Sequence, residues 1–195
     1  NSGISNHTLQ KDISLISAVI RFSAEQGLLK SLPYVPSPGK IAKRPRYWLR
    51  YADWKHLQKV SRKRIEAMKN KRLKSQRQDC HDFMVFMVHS MMRVEEAENL
   101  TFDDCRLERN SEGDEILNCN VRVSKKEPRE GVVCAPPAAE VYKRRQATRT
   151  TDQSKVFPHQ CQRSFRNLLE AAGLYYVRER DGSVARRNLK SLRST

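Results

Sequence analysis

Apolar residues early in the chain recur with the period of a helix. Between Thr8 and Leu32, the positions Ile13, Ile16, Val19, Ile20, Ala24 and Leu28 fall on one stripe, and Gly27 near its end supplies a stop. Pro33, Pro36, Pro38 and Gly39 then forbid further helix. Residues 32–46 therefore read as an extended, basic linker, with a domain boundary expected near residue 42. A second helix is expected from Asp53, or just before it, through Trp54, Leu57, Val60, Ile65 and Met68. Its other side carries Lys55, Lys59, Arg62, Lys63 and Arg64, and residues 69–77 extend that charge as a solvated run. Residues 79–92 predict a strongly apolar central helix, and residues 93–100 a further short one.

After Asp104 the period changes from 3.6 to 2. Residues 105–109, 115–125 and 131–135 read as three short strands, with turns at 111–114 and 126–129. On the second strand Val121 and Val123 share a face with Lys125, while Arg122 and Ser124 share the other. Pro136 and Pro137 are expected to close the strands. Helical spacing resumes over 138–145 and again over 160–172, with Phe165, Leu168, Leu169 and Ala172 inward and Gly173 as the stop. Leu189 and Leu192 read as the opening of one more packed element. The pattern defines a mainly α-helical chain with a small antiparallel sheet (α+β), in two parts, 1–42 and 43–195.

Charge adds a partner to this picture. Over 195 residues, 38 Lys and Arg stand against 22 Asp and Glu, a formal net charge of +16. Such an imbalance favours a polyanion. The basic residues are scattered rather than gathered on one amphipathic helix, which favours nucleic acid over a membrane face. The longest near-apolar run, residues 83–92, is too short to span a bilayer and is interrupted by His89. No basic-then-apolar leader opens the sequence, so a cytoplasmic chain is expected. The first residue is Asn1, which leads us to expect a piece of a longer protein. The five cysteines form no C-x-x-C pair and read as buried, reduced thiols. Asp79, Cys80, His81 and Asp82 offer ligand types, but consecutive helical positions diverge around the axis, and no metal or cofactor is expected.

One segment is more informative than the rest. Arg93, Glu96, Leu100, Phe102 and Asp104 spell R-x-x-E-x-x-x-L-x-F-x-D. This skeleton resembles the first-arginine box of the tyrosine recombinases, the phage integrase family. Two further features follow in that family's order. Ser124-Lys125-Lys126-Glu127-Pro128-Arg129 looks like the β-hairpin lysine segment, with Lys125 at the matching position and Lys126 as the alternative. Residues 188–195 (NLKSLRST) are similar to the His-x-Leu-Arg-His-Thr box: Leu192, Arg193 and Thr195 match, while Lys190 stands where the family usually has His and Ser194 where a second His often sits. The helix and linker at the front resemble the end of the family's core-binding domain, so residues 1–42 would be the remnant of that domain and 43–195 a catalytic domain.

The resemblance implies site-specific cleavage and rejoining of double-stranded DNA. A tyrosine hydroxyl attacks a phosphodiester, giving a phosphotyrosyl intermediate and a free 5′ hydroxyl. Charge gathers on the non-bridging oxygens, and two guanidinium groups can hold them by forked hydrogen bonds. Those roles would fall to Arg93 and Arg193. Lys125 would protonate the leaving oxygen as general acid, and Lys190 would add positive charge at the same phosphate. Further protomers assembled as a synaptic tetramer on DNA are implied as partners. The family's nucleophile lies beyond the second arginine, and Tyr34, Tyr47, Tyr51, Tyr142, Tyr175 and Tyr176 all precede it. These 195 residues are therefore expected to be inactive alone. The rival is a non-catalytic DNA-binding module on the same fold, in which Arg93 is a surface residue paired with Glu95 or Glu96 by helical spacing.

Overall fold

The computed structural model describes residues 6–36, 47–122, 127–178, 182 and 184–195. The chain divides into two compact units, Asn1–Pro45 and Arg46–Thr195. The first unit holds α1 (Asn6–Glu25), which stops where Gly27 turns to a positive φ of 70°. Leu28, counted on the apolar stripe, lies past this stop. The stripe is only partly covered: Ile13, Ile20 and Ala24 are half-buried, whereas Ile16, Val19 and Phe22 are exposed.

The second unit opens with α2 (Tyr51–Glu66), whose Trp54, Leu57 and Ile65 are buried and whose first turn contains Asp53. The next helix, α3 (Lys71–Ser90), begins well before residue 79. Asn70 caps it, its Oδ1 accepting from the Leu73 amide at 3.1 Å, so the basic run, exposed as expected, is largely the opening turns of a helix. Phe83, Met84, Phe86 and Met87 fill the core, and Phe157 packs on Phe83 and Phe86 with ring centroids 5.1 and 5.0 Å away.

A short α4 (Val94–Glu98) and a 3₁₀ turn (Phe102–Asp104) lead into an antiparallel sheet of order β1-β2-β3: β1 (Cys105–Arg109), β2 (Glu115–Val121) and β3 (Arg129–Cys134). Cys105 pairs with Cys119 and Leu117 with Cys134, and the register shifts between Cys119 and Val121. Leu117, Cys119 and Val121 turn inward as the two-residue period requires. The expected continuation of β2 to residue 125 lies outside the described residues.

The strands close at Cys134, as expected, and Pro136 and Pro137 themselves begin α5 (Pro136–Ala147). The first helical positions need no amide donor, so proline is at home there. α6 (Gln162–Ala171) buries Phe165, Leu168 and Leu169. A small hairpin of β4 (Tyr176–Arg178) and β5 (Val184–Arg186), which the sequence pattern does not announce, precedes a 3₁₀ helix (Leu189–Ser194) that buries Leu189 and Leu192. All five cysteines are free and buried, with the Cys119 Sγ 3.7 Å from Cys105 and 3.9 Å from Cys134. Hydrogen bonding between the thiols, from Cys105 on Cys119 and from Cys119 on Cys134, and then burial push the Cys119 and Cys134 thiols far up, as inert structural thiols require. No helix among the described residues is long and apolar enough to cross a membrane.

Candidate functional site

The corner between α3 and α4 is built by the box that the sequence singles out. Met91 ends α3 in the left-handed region with φ 54°, which turns the chain sharply enough for Arg93 to cap α4. Glu96, 2% exposed, reaches back: its carboxylate accepts from the Arg93 backbone amide at 2.8 Å and from Arg93 Nη1 at 2.5 Å. The backbone contact is half of a capping box, which explains a Glu three residues after the first residue of the turn. Arg129, at the start of β3, donates its Nη2 to the same carboxylate. One buried carboxylate thus fixes two guanidiniums from distant parts of the chain.

The rest of the box is support. Leu100 and Phe102 are core residues. Asp104 accepts from the Thr101 amide at 3.2 Å and from the Thr101 hydroxyl, and pairs with Arg122, the residue that follows β2. Of the five box residues, only Arg93 keeps a substantial part of its side chain, 31%, in solvent.

Arg193 approaches from the far end of the sequence. Its Nε donates to the carbonyl of Met91 at 2.9 Å, two residues before Arg93. The 3₁₀ helix that carries it is capped by Asn188, whose Oδ1 accepts from the Lys190 amide at 2.9 Å, while Ser191 Oγ accepts from the Asn188 amide at 3.2 Å. Thr195 fastens the other end: its hydroxyl donates to the Ser191 carbonyl and accepts from the Leu49 amide. Three residues per turn bring Lys190 and Arg193 to one side of this helix. Lys190 borders a cleft of about 670 Å³ against α4, shared with Glu95, Glu98, Arg163, Arg166 and Arg187. Burial, and then the neighbouring Glu95, hold the Glu98 carboxyl above its ordinary range.

Arg93, Lys190 and Arg193 therefore lie on the elements that meet at the α3–α4 corner. Lys125 and Lys126 lie outside the described residues. The shared role of Arg129 with Arg93 was not read from the sequence; the R-x-x-E spacing carried the local half of that signal, the capping pattern, but nothing announced the long-range partner. Arg93 forms its ion pair with Glu96, three residues on.

The chain shares its fold with site-specific recombinases and integrases of known structure. The chain is similar to XerH site-specific recombinase bound to a palindromic difH substrate, with a TM-score of 0.67, 14% identity and coverage of 98% of this chain and 53% of that one. It is also similar to the Tn1549 transposon integrase in complex with circular intermediate DNA (TM-score 0.63, 13% identity, 98% of this chain and 65% of that one). A lambda integrase dimer bound to a COC′ core site aligns with a TM-score of 0.62 and 13% identity, over 97% of this chain and 64% of that one. The chain thus spans between about half and two thirds of the length of these structures. No family model matches the chain, and no curated protein does.

Proposed function

We propose that these residues form the core of a tyrosine-type site-specific DNA recombinase or integrase, acting on double-stranded DNA. The observation that carries this reading is the convergence of Arg93 and Arg193, 100 residues apart in sequence, on one corner of a fold otherwise seen in DNA-bound recombinases and integrases. In this reading the two guanidiniums clamp the non-bridging oxygens of the scissile phosphate, where charge develops in the transition state. Glu96 and Arg129 hold Arg93 in place, since a clamp that must be ordered during the reaction loses part of its effect. Lys125 is the general acid for the 5′ oxygen, and Lys190 adds positive charge at the same phosphate. Residues 1–42 belong to a second, helical DNA-gripping domain, and several protomers assemble on the DNA. The nucleophilic tyrosine comes from sequence beyond Arg193 in a longer parent.

The test is a suicide substrate whose cleaved end diffuses away and traps a covalent protein–DNA adduct. The parent protein forms the adduct, and the 195-residue chain binds the same DNA without forming it. Arg93→Ala in the parent lowers adduct formation by about 10² or more while leaving DNA affinity within a few-fold, because affinity is spread over many phosphate contacts. An adduct formed by the 195-residue chain, or full activity of the parent's Arg93→Ala variant, overturns the assignment. A parent that binds DNA and never forms an adduct is a non-catalytic module on the same fold.

A further inference from the structure

A second basic site lies among α2, α3 and α6, built from none of the residues of the α3–α4 corner. The last turns of α2, the first turns of α3 and the first turn of α6 enclose a pocket of about 170 Å³. Its polar lining is Ser61, Arg64, Gln76, Arg77, Ser164 and Asn167: two guanidiniums, two hydroxyls and two side-chain amides. Every one of these groups can donate a hydrogen bond, and no carboxylate lines the pocket among the described residues.

That lining is unlike the surroundings of the ion-paired arginines. Arg93 and Arg129 meet Glu96, Arg122 meets Asp104, Arg144 meets Asp82, Arg145 meets Asp79, Arg166 meets Glu170 and Arg187 meets Asp53. Arg64 and Arg77 have no carboxylate partner among the described residues. Arg77 is also held there: its Nη1 donates to the Arg64 carbonyl in the last turn of α2, where helical carbonyls lack internal partners. Two like charges are thus kept close in a concave, partly desolvated place. Burial first, and then the charge of Arg77, lower the pKa of Arg64, with Cys80 opposing the shift. The first turn of α6, which carries Ser164, adds the positive end of that helix.

The geometry points to a phosphate-binding pocket, in which Arg64 and Arg77 hold one tetrahedral phosphate group and the hydroxyls and amides complete its shell. The phosphate is either one of a DNA backbone or a free phosphate. A volume of about 170 Å³ takes a single such group rather than a nucleotide. The inference goes beyond the recombinase reading and does not depend on it.

Two arms test it on the 195-residue chain. In the first, duplex DNA affinity is measured against KCl for wild type, Arg64→Gln, Arg64→Lys and Arg106→Gln, the last an exposed arginine on β1 outside the pocket. A DNA phosphate in the pocket predicts that Arg64→Gln weakens binding roughly tenfold at low salt and lowers the slope of log K against log salt by about 0.9. Arg64→Lys keeps the slope, and Arg106→Gln leaves both quantities closer to wild type. In the second arm, inorganic phosphate is titrated in chloride buffer while thermal unfolding is followed. A free-phosphate site predicts a rise in Tm for wild type that Arg64→Gln abolishes, with the DNA slope unchanged. Circular dichroism confirms that each variant is folded. If Arg64→Gln alters neither arm, or if Arg106→Gln reproduces its effect on DNA in full and phosphate does not raise Tm, the pocket is an ordinary solvated surface and the inference fails. A wild-type chain that does not bind DNA at all refutes the recombinase reading instead, and the phosphate arm alone then decides the pocket.

Discussion

At Glu96 a carboxylate almost wholly out of water meets a backbone amide and two guanidiniums. Removing it leaves Arg93 and Arg129 facing each other with no charge between them. Glu96→Ala is therefore expected to destabilise the second unit by about 2–3 kcal/mol, read from urea unfolding, whereas Glu96→Gln, which still accepts hydrogen bonds, costs about half as much. Equal losses for the two variants would mean that packing, not charge, holds the corner. His81 gives a different residue-scale expectation. It is 6% exposed, with Nδ1 3.0 Å from Ser61 Oγ. Burial lowers its pKa below the ordinary 6.5; Asp82 opposes the shift, while Arg62 and Arg144 add to it. His89 is shifted the same way by burial. The unfolded chain therefore binds protons that the folded chain refuses, so stability is full above about pH 6.5 and falls as pH drops below it. Unfolding free energies across pH 5–8 should show this decline, and His81→Gln should flatten it; an unchanged slope in the variant would remove His81 from the account.

On the scale of elements, caps decided what apolar periodicity did not. Asn70 starts α3 inside a charged run with almost no apolar period, and the sequence pattern therefore placed the helix start too late. Asn70→Ala should cost about 1 kcal/mol in the same unfolding assay; no measurable loss would show that tertiary packing alone fixes the start of α3. The first strand was legible to the residue, because alternation and turn residues flank it on both sides. The hairpin of β4 and β5 was not, since each strand has only three residues, too few for a period to show. Pro136 and Pro137 were read as closing the strands, which they do, but the helix expected from residue 138 already opens at Pro136, because proline suits the first helical positions. At the candidate site, Arg93 and Arg193 were legible because a spaced motif surrounds each. The tie of Arg129 to Glu96 joins β3 to α4, and no local pattern encodes a contact of that range.

The charge of the whole molecule and the ion pairs within it are two sides of one distribution. Buried or half-buried carboxylates at Asp53, Asp79, Asp82, Glu96 and Asp104 are each committed to an arginine, so five of the 22 acidic side chains are neutralised within the fold. The surplus of +16 is therefore displayed outward, on side chains such as Lys55, Lys59 and Lys63 of α2 and Lys71 and Lys74 of α3, all exposed. Charges of this kind bind a polyanion by displacing its counterions, and each phosphate engaged contributes about 0.9 to the slope of log affinity against log salt. If about six phosphates are engaged, raising monovalent salt from about 50 to 200 mM should weaken duplex binding by about 10³. Fluorescence anisotropy with a labelled duplex across that range measures the slope directly. Affinity that does not change with salt, or no binding at low salt, would show that the outward charge serves solubility alone and would remove the physical basis for DNA as the partner. A steep slope that is the same for unrelated duplex sequences fits this geometry, because the charges are dispersed over helix faces and read the backbone rather than the bases.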